Sequence, residues 1–250
     1  MSIGMAARPL KRLSGMGKRS LPRPSPAMPA PRLPLLLPLL ALAAAPAAAA
    51  EEDGNVWLGQ FATINTSDKV FVRLEAQERF TNDSERLGQL LLRSLVAYRI
   101  NREVNIGAGY AYVLTDPVGP VKLNEHRFYQ ELNIRLLTTP GGTTLDSRTR
   151  LEQRTFEERG GTDWRLRQFV QLRAPIIKNN RLVIFTEPFV DLSEGPVQRG
   201  GLAIWRNFAG VSIPLAKGVE VVPGYLNQYV VRGGPDRIDH TANVNLFMTF

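Results

Sequence analysis

From Asn55 to the end of the chain, apolar and polar side chains alternate, and a period of two is the mark of β-strands whose two faces meet different surroundings. Val70, Val72, Leu74 and Ala76 share one parity, and Arg73, Glu75, Gln77 and Arg79 hold the other. Further along, Phe128, Leu132, Ile134 and Leu136 oppose Glu125, Arg127, Glu131, Asn133 and Arg135, and Trp164, Leu166, Val170 and Leu172 oppose Arg165, Arg167, Gln171 and Arg173. Such segments recur from Val56–Ile64 to the last one, near 240–250. No segment after residue 50 has a long apolar run, so no transmembrane helix is expected there, and the alternation favours strand over helix.

The connections carry a second alternation. Short links are expected at 65–69, 101–103, 139–143, 176–180 and 214–218, and longer Gly- or Pro-bearing links at 81–87, 116–124, 157–163, 193–200 and 231–239. Tight turns at one end and longer loops at the other, joined by strands of ten or more residues, predict a closed antiparallel up-and-down transmembrane β-barrel, all-β in class. Closure leaves no strand edge unpaired in lipid. Aromatic residues of the apolar parity (Tyr98, Tyr110, Tyr112, Trp164, Trp205, Tyr225 and Tyr229) fall often near strand ends, where interfacial girdles form. The segments number eleven, whereas single-chain bacterial barrels have even counts, so ten or twelve strands are expected. The barrel is expected to occupy 69–250, with 51–68 an N-terminal segment or a first strand. Placing the apolar face inward instead would give a soluble, lipocalin-like periplasmic binding barrel.

The formal net charge of +8 would suggest a nucleic-acid partner, but its distribution argues otherwise. Seven of the 31 basic residues and none of the 23 acidic ones lie in 1–50, which leaves 51–250 near +1. The basic character belongs to a leader: Arg32, an apolar run over 33–45, small residues ending at Ala50, then Glu51 and Glu52. That is the layout of a cleaved secretory signal peptide over 1–50. The expected location is the outer membrane, with its lipid as surroundings and no nucleic acid as partner. The chain ends on alternating Ala242, Val244, Leu246 and Met248 followed by Phe250, which resembles the C-terminal strand read by the bacterial barrel-assembly machinery. The absence of cysteine excludes disulfide scaffolds and thiol chemistry.

Several pieces resemble, in order, the bacterial family DUF2490: Trp57, Glu75-Ala-Gln-Glu-Arg79, Gly109-Tyr110, Asn124-Glu-His-Arg127, Arg150-Leu-Glu-Gln-Arg154, Arg165-Leu-Arg167, Glu187 and Gly224-Tyr-Leu-Asn-Gln228. The likeness spans 55–250. It implies an outer-membrane barrel and supplies no activity, cofactor or catalytic residue.

With the apolar face outward, the opposite parity lines a lumen: Arg73, Glu75, Arg79, Arg127, Glu131, Arg135, Arg148, Arg150, Glu152, Arg154, Arg165, Arg167, Arg173, Glu187 and Arg206. Guanidinium forks beside carboxylates would form either a self-satisfied polar filling or a narrow passage whose excess arginine attracts small anions. A lipid-modifying barrel enzyme is the alternative, and its candidate bases are His126, on the apolar parity near an outer loop, and His240, which opens the last strand near the same rim, although no serine stands at a telling spacing. Asp116, Asp236 and Asp239 fall in expected outer loops without the periodicity of a calcium loop. Gly107 and Gly109 lie within a strand and point inward, which reads as relief of crowding. No motif calls for a cofactor or a metal.

Overall fold

The computed structural model describes residues 51–116, 122–195 and 197–250; the leader reading over 1–50 lies outside them. Eleven strands follow one another: β1 Glu51–Asn65, β2 Val70–Thr81, β3 Arg86–Arg99, β4 Val104–Thr115, β5 Leu123–Thr138, β6 Thr144–Phe156, β7 Arg159–Pro175, β8 Arg181–Gly195, β9 Gln198–Ala216, β10 Val219–Val230 and β11 Arg237–Thr249. Each pairs antiparallel with its neighbours in sequence, and β1 closes the barrel against β11. The closed barrel is as expected; the count of ten or twelve is corrected to eleven. Alternating direction through an odd number of strands leaves the first and last pointing the same way, so the closing pair is parallel, in register from Glu51↔Arg237 to Thr63↔Thr249. The segment 51–65 is therefore a wall strand.

Parallel closure puts the two ends of the described chain at opposite rims. The C-terminal rim is fastened by backbone hydrogen bonds from Phe250 to Thr63 (2.9 Å) and from Asn65 to Phe250 (3.0 Å), and the N-terminal rim by one from Glu51 to Asp236 (3.0 Å).

The contrast between short and long connections is weaker than the sequence suggests. β6 ends at Phe156 and β7 begins at Arg159, while β8 runs to Gly195 and β9 begins at Gln198. Glycines at 160–161 and 200–201 read as loops, yet they extend the hairpins. Gly200 and Gly201 take φ of 78° and 79°, and the β8–β9 register shifts beside them, so these residues accommodate bulges in a continuing ladder. Two connections hold non-glycine residues in the left-handed region: Lys178 between β7 and β8, and a run of three between β2 and β3. Asn82, Asp83 and Ser84 all have positive φ, and the Asp53 carboxylate accepts the Asp83 amide (2.9 Å), tying this turn to the start of β1.

The two faces sort as the alternation requires. Leu74, Leu92, Val96, Ile106, Phe128 and Tyr225 point outward and are exposed, whereas Glu75, Glu131, Arg150, Glu152, Arg167 and Glu187 are buried inside. The interior is not wholly ionic. Trp57, Val183, Phe208, Val222 and Leu226 form one apolar cluster, and Phe71, Leu95, Ala97 and Tyr129 another.

Candidate functional site: the charged lumen

Strand register brings opposite charges together. Glu131 on β5 faces Arg150 on β6, Glu152 on β6 faces Arg165 on β7, and Glu75 on β2 faces Arg93 on β3. From these pairs a network crosses the interior. The two Glu131 oxygens take Arg73 Nη2 (2.6 Å) and Arg150 Nη2 (2.6 Å). Arg150 reaches Glu152 at 3.8 Å; Arg167 bridges Glu152 and Glu187 at 2.8 Å each; Arg148 also holds Glu187, at 2.9 Å. Removing this many charges from water is costly, and fork-to-carboxylate pairing offsets the cost. Nearer the N-terminal rim, Glu125 takes both Arg127 (2.6 Å) and Arg154 (2.5 Å), and Asp191 takes Arg165 (2.8 Å). Toward the other rim, Arg173 pairs with Glu220 (2.6 Å) and Arg135 with Asp146.

All fifteen residues expected to line the lumen face inward. The structure divides them by role. Glu131, Arg150, Glu152 and Tyr129 fill the β5–β6 side at mid-height. Elsewhere the lumen opens into two cavities, one of about 420 Å³ toward the C-terminal rim and one of about 950 Å³ toward the N-terminal rim. Trp57, Arg79, Arg93, Arg167 and Arg206 line both and form the waist between them. The waist thus contains four guanidinium groups and one indole; Glu75 lies against Arg93, and Glu152 and Glu187 lie against Arg167.

Three kinds of lumen residue escaped the sequence reading. Trp57 stood out only as part of a family likeness, because both parities of Val56–Ile64 are largely apolar and neither marks itself as inner. Tyr129 interrupts the charged parity of β5; its ring stacks beneath Arg150 (4.5 Å), and its hydroxyl donates to the Ser94 carbonyl (2.9 Å). It also explains Gly109, where a Cβ would come within 2.4 Å of the Tyr129 ring and 2.3 Å of the Ser94 oxygen. Lastly, Asp163, Asp191 and Asp239 are buried inside, Asp163 and Asp239 because the strands extend into the ranges where loops were expected. Asp239 is accordingly corrected from a loop residue to an inward residue of β11, bonded by Arg237 and Gln228. The other two aspartates also have partners. Asp116 pairs with Arg86 (2.9 Å) and Lys122 (3.6 Å); the hydrogen bond from Arg86 holds its carboxyl below the usual range. Asp236 accepts the Tyr229 hydroxyl and the Arg232 amide, which lower it likewise. The three do not converge.

Both histidines lie on the outer face. His126 Nδ1 meets the Tyr110 hydroxyl (2.6 Å) and its Nε2 meets Glu157 (2.9 Å); His240 Nδ1 meets the Tyr225 hydroxyl (2.6 Å). Among the described residues no serine or threonine hydroxyl bonds either imidazole, so a Ser–His pair for acyl chemistry is not assembled there. Trp164, Trp205 and Tyr98 also stand exposed on the outer wall.

Inside-out polarity, a closed wall and a salt-bridged interior define the class: an eleven-stranded β-barrel with a charged lumen. The chain belongs to the family described as protein of unknown function DUF2490, whose model matches residues 54–239. It is similar to an uncharacterised protein of Methylorubrum extorquens, 31% identical over 224 residues that cover 86% of this chain and 97% of that protein. No solved structure matches it.

Proposed function

We propose that the chain is an outer-membrane β-barrel whose lumen is a narrow, non-enzymatic passage for small anions. The waist carries this reading: four guanidinium groups line both cavities, two of them, Arg79 and Arg206, without a carboxylate in ion-pair distance among the described residues, and rings of arginine favour anions in narrow pores. The polarity of the wall supports membrane insertion, since a soluble binding barrel would hold its apolar residues inside and its ionised ones in water. Strand length supports it too. The shortest strands have 12 residues, and at about 3.3 Å per residue and a tilt of about 40° they rise roughly 30 Å, the thickness of a hydrocarbon core.

Folded protein reconstituted in a planar bilayer under a KCl gradient tests the function. The expected result is small unitary conductance with a reversal potential on the chloride side, moved toward potassium by Arg79→Gln or Arg206→Gln. Absence of conductance from protein that is folded and inserted refutes the passage.

A further inference from the structure

The waist arginines are not equivalent. Arg93 holds Glu75 at 2.7 Å, and Arg167 holds Glu152 and Glu187. Arg79 and Arg206 have no carboxylate within 4.0 Å among the described residues, although both are more than nine-tenths buried. Arg79 spends its donors on the neutral carboxamide oxygens of Gln77 (3.1 and 2.6 Å) and Gln89 (2.6 Å). Arg206 uses only Nε, donating to Gln228 Oε1 at 2.7 Å, and its two terminal nitrogens bond nothing among the described residues. Between the two lies Trp57, with Arg79 at 4.1 Å and Arg206 at 4.9 Å from its ring centre. Its Nε1–H is buried without an acceptor.

A guanidinium over a ring uses its face and leaves its N–H edge unsatisfied. A buried donor without an acceptor is costly, and here the unsatisfied indole N–H belongs to the ring that Arg206 covers at 4.9 Å, and both residues line the two cavities. What completes such a set is a charged group with two or more oxygens. Resting on the anion-passage reading, we propose that Arg206 and Trp57, backed by the positive charge of Arg79, form a binding site for a small oxyanion, a carboxylate or a phosphate, at the waist. Phe189, its ring centre 4.6 Å from the Arg206 guanidinium carbon, forms an apolar flank of the same site.

The chain has three tryptophans, so isotope-labelled protein folded in detergent gives three indole N–H resonances, and Trp57→Phe assigns the relevant one. Sodium phosphate and sodium acetate are titrated at constant ionic strength against sodium chloride. The Trp57 resonance shifts saturably with either oxyanion. Affinity falls roughly tenfold or more in Arg206→Gln and stays within about twofold in Arg86→Gln, a rim residue that lines neither cavity. Migration of the unheated protein on gels shows that each variant is folded. A Trp57 signal that does not saturate, that titrates unchanged in Arg206→Gln, or that responds equally to chloride overturns the site. Binding is read without a membrane, so the two readings fail separately: conductance without a Trp57 shift removes the site alone, and a saturable shift without conductance removes the passage alone.

Discussion

Glu131→Gln measures whether the β5–β6 side of the lumen is packed or wet. Glu131 accepts Arg73 Nη2 at 2.6 Å, Arg150 Nε and Nη2 at 3.0 and 2.6 Å, and Asn133 Nδ2 at 3.1 Å. The side chains of Glu131 and Arg150 are both fully shielded from solvent, and with the charge removed the remaining carboxylate beside Arg150 is Glu152 at 3.8 Å. Breaking a buried pair while leaving one charge behind costs about 3–5 kcal/mol, and the isosteric amide keeps volume constant, so the loss is electrostatic. The rim pair Arg135–Asp146, with side chains 43% and 27% exposed, is the reference: Arg135→Gln costs less than about 1 kcal/mol. Urea unfolding of the barrel in lipid vesicles, followed by tryptophan fluorescence, gives both values on one scale. Replacing Glu131 and Arg150 together by Met costs less than Glu131→Gln alone, because no buried charge is orphaned at Arg150. A Glu131→Gln loss under about 1 kcal/mol refutes the packed interior, since only a water-filled lumen screens the pair that well.

Gly109→Ala destabilises by about 1–3 kcal/mol in the same unfolding assay, because its Cβ meets the Ser94 carbonyl and the Tyr129 ring, whereas Gly160→Ala, with open space around it, changes little. The Asp236 carboxyl lies below its ordinary value because Tyr229 and Arg232 donate to it, so its contribution is present above the unfolded carboxylate range near pH 4 and lost as pH falls through the lowered folded value. Hydrogen exchange checks this: protection of the Arg232 amide declines on acidification below about pH 4, and in Asp236→Asn it is weak at every pH. Because the chain lacks cysteine, single replacements at Glu51 and Thr249 report topology cleanly; a membrane-impermeant maleimide reaches one from each side of the membrane, and labelling of both from the same side contradicts parallel closure.

Alternation alone told which side chains share a face, because that parity is a local property of extended chain. It therefore revealed the β class and the shared parity of the fifteen charged residues from Arg73 to Arg206, and it placed the glycines of β4 on that same face. Loop boundaries were less legible, since Gly200 and Gly201 carry the same letters in a bulge as in a turn. Strand number and closure depended on residues far apart in the chain. Nothing near Glu51 announces that it will lie beside Arg237, and the parallel seam exists only because eleven strands complete the circuit. The waist is the clearest tertiary product. The eleven arginines expected in the lumen look alike in sequence, but three-dimensional distance gives Arg150 two carboxylates and leaves Arg206 with none within 4.0 Å among the described residues, and Arg79 and Arg206 both come to lie against the Trp57 ring because side chains of β1, β2 and β9 meet in the lumen.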